Sequence, residues 1–329
     1  MNIMKKLFLI SFLAVLFVAP AYSQAVDTGV ANFLTITPDA RSAAMGTAGA
    51  ASHYGVFSMF HNPALMGFDR NGGIGYSYSP WMKGDDAKTL HTVGASYGIG
   101  AKGNIFAGFR SFTYKPFDIY DEQGLVKGTF KPKEWAAELG YSMLFGNDFS
   151  AGVTARWVNS EQNASSKAGT IAVDLGVAYR RGLSIGDGAA FSATLAATNF
   201  GGKMKYNDVG YDLPGKIKLG LGLDMLFAQN HGLEVLVDAG YRLMPSDVAA
   251  FEAGIGLQYR FMDMVMLRGG YQISDPEKGF GNYVTFGAGV KFYHVQLDAA
   301  YMIATSKDSM IGDMLRLSLS FDFGLFSRR

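Results

Sequence analysis

Charged residues in this sequence recur at every second position of several apolar segments. Glu134 and Glu138, for example, alternate with Trp135 and Leu139. Acids and bases that share one face of a sheet attract each other across neighbouring strands, so their chemistry is ion pairing rather than proton transfer. We expect a charge network on one face of the strands, made of Glu134, Glu138, Arg156, Asp174, Lys216, Lys218, Asp224, Glu234, Asp238, Arg242, Glu252, Arg260 and Arg268.

The residue types in the sequence give little support for catalytic activity. The chain has no cysteine and five histidines, which are His53, His61, His91, His231 and His294. Nucleophilic catalysis needs a histidine within hydrogen-bonding reach of a serine or a carboxylate, and the predicted positions give no such pair. The spacing of His53 and His61 matches no recognised set of metal ligands. The sequence therefore predicts no enzyme activity, no metal and no cofactor.

A period of two in hydropathy identifies the elements that carry these charges. Ile171, Val173 and Leu175 alternate with polar residues such as Asp174, and the same alternation recurs as far as residues 315–325. Successive side chains of a strand point to opposite faces, so this pattern is typical of strands with one apolar and one polar face. We predict about fourteen strands of roughly 9 to 12 residues, a length that crosses a bilayer when tilted. The predicted fold class is all-β, a transmembrane antiparallel β-barrel.

The connections between the predicted strands alternate between short and long. In an outer-membrane barrel with both termini in the periplasm, the short turns face the periplasm and the longer loops face outwards. Loops carry recognition on a rigid scaffold. The candidate contact surfaces are therefore the long connections at residues 113–133, 160–168 and 200–214.

The apolar face of such a barrel meets either lipid or a protein core. A soluble β-protein with its apolar face inward is the alternative, but a barrel of this strand number is too wide for one layer of side chains to fill. Charges on the other face suit a watery lumen, and aromatic residues near strand ends, such as Trp135 and Trp157, suit the bilayer interfaces. We therefore expect outer-membrane lipid around the barrel.

The first 23 residues have the features of a signal peptide. Lys5 and Lys6 precede an apolar run, and Ala21 and Ser23 are small residues that a signal peptidase reads, so we expect the mature chain to begin at Gln24. Without those two lysines, 27 of the 29 basic residues face 28 acidic ones, a net charge of −1. This balance gives no indication of nucleic-acid binding. We divide the chain into a signal peptide (1–23), an N-terminal segment (24–71) and the barrel (72–329).

The N-terminal segment lacks clean alternation and contains a stretch of small residues at 40–51. A short helix lodged inside the barrel as a plug accounts for both features. Asn62 precedes a proline, and its amide is more readily explained as a cap or turn than as a ligand contact. The predicted plug motif consists of Pro38, Asp39, Arg41, Met45, Gly46, Asn62, Pro63 and Ala64.

Two stretches of this segment resemble a known family. Residues 33–46, FLTITPDARSAAMG, and residues 60–65, FHNPAL, are similar to the start of the PorV/PorQ family of the Bacteroidota. The order Pro-Asp-Ala-Arg followed by Met-Gly is closer to PorV than to PorQ. Because the family is related to the FadL long-chain fatty-acid transporters, the resemblance implies a FadL-like barrel in the outer membrane.

The resemblance also implies a role in type IX secretion. PorV-like barrels accept cargo proteins from an SprA-like translocon and deliver them to a PorU-like sortase at the cell surface, so these three are the implied partners. The second hypothesis is a FadL-like channel for long-chain fatty acids or another hydrophobic small molecule. A porin is the third, and the predicted plug opposes it.

Overall fold

The computed structural model describes residues 30–52, 55–81, 87–163, 166–275, 278–305 and 314–326, and the predicted signal peptide lies outside the described residues. The strands are β1 (Gly73–Trp81), β2 (Lys88–Ile99), β3 (Gly103–Tyr114), β4 (Phe117–Tyr120), β5 (Val126–Phe130), β6 (Lys133–Phe145), β7 (Phe149–Asn163), β8 (Ser166–Leu183), β9 (Gly188–Gly201), β10 (Met204–Tyr206), β11 (Val209–Tyr211), β12 (Lys216–Phe227), β13 (His231–Arg242), β14 (Ala250–Phe261), β15 (Val265–Ser274), β16 (Tyr283–Phe292), β17 (Val295–Ala304) and β18 (Met314–Asp322).

Fourteen of the described strands form one closed antiparallel barrel. Each barrel strand pairs with the barrel strands that precede and follow it in the chain, and β1 completes the ring by pairing with β18. The remaining strands form two separate hairpins, β4–β5 and β10–β11. The predicted all-β barrel is therefore confirmed.

The alternating residues of the strands face opposite sides of the wall, as predicted. In β8, for example, Leu175 is 56% exposed, whereas Asp174 beside it is 1% exposed. Leucine, valine and aromatic side chains occupy the outward positions all round the ring. An apolar exterior and a polar interior are the arrangement that a lipid bilayer requires of a barrel.

One of the three predictions of a long loop is wrong. The stretch 160–168 is mostly strand, because β7 continues to Asn163 and β8 begins at Ser166. Glu161 lies 3.6 Å from Lys133 and 3.5 Å from Lys167 on the neighbouring strands. The strands stay paired as far as Asn163 and Ser166, so polar composition there reflects strands that continue beyond the apolar band.

The N-terminal segment runs through the lumen from the end with the long loops to the end with the short turns. Its helices are the 3₁₀ helix Asn32–Thr35, α1 (Ala40–Ala44) and two further 3₁₀ helices, Val56–Phe60 and Pro63–Phe68. Phe33 stacks on Phe112 near the long-loop end of β3, with ring centroids 6.2 Å apart. At the other end, the Asp69 carbonyl accepts a hydrogen bond of 2.8 Å from Asn104. No helix in the described part of the chain has the length and hydropathy to span a membrane.

Candidate functional site

Asp39 links two parts of the N-terminal segment, α1 and the residues just before its last 3₁₀ helix. Its carboxylate caps α1 by accepting a hydrogen bond of 2.8 Å from the Ser42 N–H, and its other oxygen lies 2.9 Å from His61 Nε2. Burial raises the pKa of Asp39, but the hydrogen bond and electrostatic attraction of His61, the Ser42 N–H and the charge of Arg41 outweigh it. The pKa of Asp39 therefore lies below its ordinary value of 3.8, and the carboxylate is ionised at neutral pH.

Arg41 connects α1 to the barrel wall. Its guanidinium donates a hydrogen bond of 2.5 Å to Glu234, and both side chains are buried. Gln258 donates to the same carboxylate at 3.0 Å and accepts from Arg268 at 2.6 Å. Arg268 in turn donates to Asp298 at 2.7 Å. A chain of charge-assisted hydrogen bonds thus extends from the segment to residues on four strands of the wall, β13, β14, β15 and β17.

Asp238 binds the next part of the segment. One of its carboxylate oxygens accepts hydrogen bonds from the backbone N–H groups of Gly49 and Ala50, both at 2.9 Å. Lys218 Nζ lies 3.7 Å from the same oxygen, and Thr194 of β9 donates to the Ala50 carbonyl at 2.8 Å. Barrel side chains thereby satisfy backbone groups that have been removed from water.

Met45 and Gly46 pack closely against the backbone of the wall. A Cβ placed on Gly256 would lie 2.6 Å from Met45 Cβ, so this approach requires a glycine in the strand. Thr285 Oγ1 accepts a hydrogen bond from the Gly46 N–H and donates one to the Ala44 carbonyl, both at 2.9 Å. The contact fixes the C-terminal end of α1 on the inner surface.

The stretch Asn62-Pro63-Ala64 opens the last 3₁₀ helix of the segment. Asn62 Oδ1 accepts a hydrogen bond of 2.9 Å from the Ala64 N–H, which is a helix cap. The Asn62 amide also donates to backbone carbonyls of β8 and β9, both at 3.4 Å. A Cβ on Gly176 would overlap the Asn62 side-chain oxygen. Asn62 therefore both caps the helix and attaches it to the wall.

Arg156 is the centre of a compact ion cluster on β3, β6, β7 and β8, which we call the balanced cluster. It donates to Glu138 at 2.5 and 2.9 Å and to Asp174 at 2.6 and 3.2 Å. Its remaining N–H group donates to Asn199 Oδ1 at 2.5 Å, and Arg110 Nε lies 3.3 Å from Glu138. Two buried arginines therefore face two buried carboxylates.

A second group of charges surrounds a small chamber near the extracellular ends of β12, β13 and β14. Lys216 donates to Glu252 at 2.7 Å, and Lys218 lies 3.9 Å from the same oxygen. Arg242 also lines the chamber and donates to the Lys278 carbonyl at 2.9 Å. The described residues that line the chamber thus include four cations, Arg316 being the fourth, and one carboxylate, unlike the balanced cluster.

The other predicted charges lie apart from these groups. Asp224 accepts a hydrogen bond of 2.5 Å from Arg260 near the short-turn end, and Glu134 accepts one of 2.7 Å from the Tyr114 hydroxyl near the long-loop end. The structure thus places the predicted charges on the inner side of the barrel in several groups rather than in one continuous network.

Several inward-facing residues lie outside the predicted network, among them Arg110, Asn199 and Arg316. The period of two identifies the face on which Arg110 and Arg316 lie but says nothing about their partners. Asn199 has a φ of +63° at a point where the register between β8 and β9 shifts. Such a bulge re-aims a side chain without leaving a mark in the hydropathy pattern.

The lumen around the segment contains cavities of very different size. One of about 330 Å³ opens at the short-turn end, between the segment and β16–β18, and is lined by Arg41, Phe57, Lys291, His294 and Asp322 among others. Two of about 40 and 30 Å³ flank residues 35–37. Within the described ranges, no three histidine, aspartate or glutamate side chains converge on a point that could hold a metal ion.

The hairpin β4–β5 extends beyond the long-loop end and carries exposed apolar side chains. Phe117, Tyr120, Leu125 and Val126 are 45%, 61%, 67% and 58% exposed. The Phe117 ring packs on Phe130 of the same hairpin, with centroids 5.9 Å apart. Neither strand pairs with any other described strand, so the outer edges of this hairpin are unpaired.

Two solved structures with a similar fold are described as toluene transporters. The toluene transporter TbuX of Ralstonia pickettii has a TM-score of 0.57 and 12% identity, over 86% of this chain and 97% of that chain. The toluene transporter TodX of Pseudomonas putida has a TM-score of 0.53 and 16% identity, over 91% and 98% of the two chains. At this identity the likeness shows the fold alone.

Sequence comparison identifies the family. No curated protein matches the chain. A family model described as "Type IX secretion system protein PorV" matches residues 19–248, which is well over half of the 329 residues. Family and fold are those of an outer-membrane transport barrel and not of an enzyme. The chain belongs to the PorV family of the type IX secretion system.

Proposed function

We propose that this barrel accepts secreted cargo proteins at its extracellular rim as they leave an SprA-like translocon, and passes them to a PorU-like sortase. Membership of the PorV family is the basis for placing the barrel in the type IX secretion system. The observation that carries the proposed mode of action is the β4–β5 hairpin, whose apolar side chains are exposed beyond the end of the barrel wall.

An isolated two-stranded hairpin gains little stability by itself in water. This one exposes Tyr120, Leu125 and Val126, and its edges offer unpaired backbone groups. Exposed apolar side chains next to a free strand edge are the features by which proteins add a strand from a partner. A secreted protein that presents an extended apolar segment would cover both the side chains and the edge.

The N-terminal segment inside the lumen favours binding of cargo at the rim over passage of cargo through the barrel. The N-terminal segment is tied to strands on several sides of the wall through Arg41, Asp238, Thr285 and Asn62. We propose that residues 24–71 act as a plug that stays in place while cargo binds outside. We further propose that residues 1–23 direct export and that the chain comes from a member of the Bacteroidota.

The hairpin can be tested without disturbing the barrel. Tyr120, Leu125 and Val126 are replaced together by serine, and Lys127→Ser in the same hairpin serves as the control. We expect the triple variant to lose most cargo from the cell surface and from pulldowns of the barrel, while the control keeps both. Normal cargo display by a triple variant that is present at normal levels in the outer membrane would exclude this mode of action.

A FadL-like channel for a hydrophobic small molecule is the second candidate. The fold shared with TbuX and TodX favours it. The wall of the 330 Å³ cavity weighs against it, since Arg41, Lys291 and Asp322 stand beside Phe57 there and sites for apolar ligands are lined predominantly by apolar groups. Deletion of the gene separates the two candidates: loss of fatty-acid uptake with normal cargo display would support the channel.

A further inference from the structure

Arg316 of β18 is a buried arginine that forms no salt bridge with a described carboxylate and is attracted by Asp39 only at longer range. It is 1% exposed, and its guanidinium donates a hydrogen bond to the Thr37 carbonyl of the N-terminal segment. The guanidinium carbon lies 5.4 Å from the centre of the Trp81 ring. Its Nε is buried without a hydrogen-bond partner, and no carboxylate of the described residues lies within 4.0 Å of it.

Arg316 lines the same chamber as Lys216, Lys218 and Arg242. Glu252 is the one carboxylate among the described residues of this lining, and it is already engaged by Lys216 at 2.7 Å. The described lining of the chamber therefore has four cationic side chains and a single acidic one. Asp238, which lies 3.7 Å from Lys218, reduces the excess but also accepts two backbone hydrogen bonds from the segment.

A positive excess of this kind is costly away from water, because a buried charge needs a counter-charge or full hydrogen bonding. The balanced cluster places a carboxylate within 4.0 Å of each of its arginines, whereas Arg316 in the chamber has none within that distance among the described residues. Trp81 and Phe280 contribute apolar walls, with ring centroids 4.9 Å apart, and limit the access of water.

We propose that the chamber binds a compact monovalent anion, either a halide ion or the carboxylate group of a small organic acid. The cavity of about 30 Å³ has room for about two water-sized groups, which suits a compact anion. The anion accepts hydrogen bonds from the cationic groups that line the chamber. Since Arg316 also binds the Thr37 carbonyl, the anion stabilises the extracellular part of the N-terminal segment.

Thermal unfolding of the full chain in a non-ionic detergent tests this site. Sodium chloride, bromide or acetate is titrated against sodium isethionate at constant ionic strength, so that general screening is equal throughout. We expect a saturable rise in the unfolding temperature with at least one of the three anions. Arg316→Gln is expected to weaken the apparent affinity about tenfold or more, since it removes a charged hydrogen-bond donor. Lys102→Gln, an exposed change of the same charge outside the chamber, is expected to leave the affinity unchanged.

Crystals of the unmodified chain grown in bromide provide a second measurement that does not depend on how the variant folds. We expect an anomalous peak beside Arg316. Stabilisation by the halides, with this peak, identifies a halide site, and stabilisation by acetate alone identifies a carboxylate site. Absence of saturable stabilisation by all three anions, or equal affinities in the Arg316→Gln and unmodified proteins, overturns the proposal.

Discussion

The lumen of this barrel buries and pairs polar side chains, whereas the extracellular rim exposes apolar ones. In the lumen, Arg156 and its partners are buried and hydrogen-bonded to one another, and the N-terminal segment packs on them and on the wall. At the rim, the β4–β5 hairpin exposes apolar side chains such as Leu125 and has no neighbouring strand. The lumen thus pairs most of its charges internally, with the chamber beside Arg316 as the exception, and the rim is left open for contact with another molecule.

The largest effect on stability is expected in the balanced cluster. Arg156→Met removes the shared partner of Glu138 and Asp174 and leaves two buried carboxylates facing each other. We expect a loss of about 3–5 kcal/mol in the free energy of unfolding, measured by urea titration in lipid vesicles. The control is Lys167→Met, in a pair whose lysine side chain is 57% exposed, with an expected change below about 1 kcal/mol. Equal losses in the two variants would contradict the contrast.

A smaller effect is expected where the segment touches the wall through a glycine. Gly176→Ala places a methyl group against the Asn62 side chain and forces the last 3₁₀ helix of the segment away from β8. We expect a loss of about 1–3 kcal/mol and faster proteolysis of the segment. Gly128→Ala in the rim hairpin has no atom within 4 Å of its new Cβ and serves as the control. An unchanged proteolysis rate in Gly176→Ala would show that this contact does not fix the segment.

The interaction between Asp39 and His61 predicts a dependence on pH. Because the pKa of Asp39 is lower in the folded protein than its ordinary 3.8, its ionised form adds stability above that pH, and this contribution is lost as the pH falls through the lowered value. Asp39→Asn keeps a capping side chain, so we expect a loss of about 1 kcal/mol or less at neutral pH. Unfolding measured from pH 6 down to about 2 should show a shallower acid destabilisation in the variant than in the unmodified chain. Parallel curves would contradict the assignment.

The smallest effect on stability is expected at the rim. Replacing Tyr120, Leu125 and Val126 by serine removes side chains that are mostly exposed, so the free energy of unfolding should change by no more than about 0.5 kcal/mol per site. The same urea titration measures it beside the cargo assay. A large loss of stability would mean that the hairpin packs on the barrel and is not free for a partner.

The alternation of residues predicted the barrel because it is a local property of the chain. Leu175 and Asp174 lie on the faces that their positions indicate, and so do the residues of β18. The ion-pair partner of an inward-facing side chain cannot be predicted from alternation, since it depends on strand register and on depth in the wall. Arg110 and Arg316 occupy the same inner face, but the first is paired with Glu138 and the second has no carboxylate within reach in the described structure.

The N-terminal segment shows the limit of prediction from local pattern. Its small residues predict close packing. They do not predict which wall residue binds Arg41, and they do not predict the contact between His61 and Asp39. The prediction of a loop at 160–168 is wrong because β7 and β8 continue beyond the apolar band with polar residues, which are also typical of loops. Both outcomes depend on neighbours that are distant in sequence.

Photo-crosslinking in living cells tests most directly whether cargo contacts the rim rather than the lumen. A benzophenone-bearing phenylalanine analogue is placed at Tyr120 in the hairpin or at Phe57, which lies inside the barrel and is 8% exposed. The account predicts adducts with secreted cargo at position 120 and none at position 57. Adducts at position 57 with none at position 120 would contradict it and would indicate passage through the barrel.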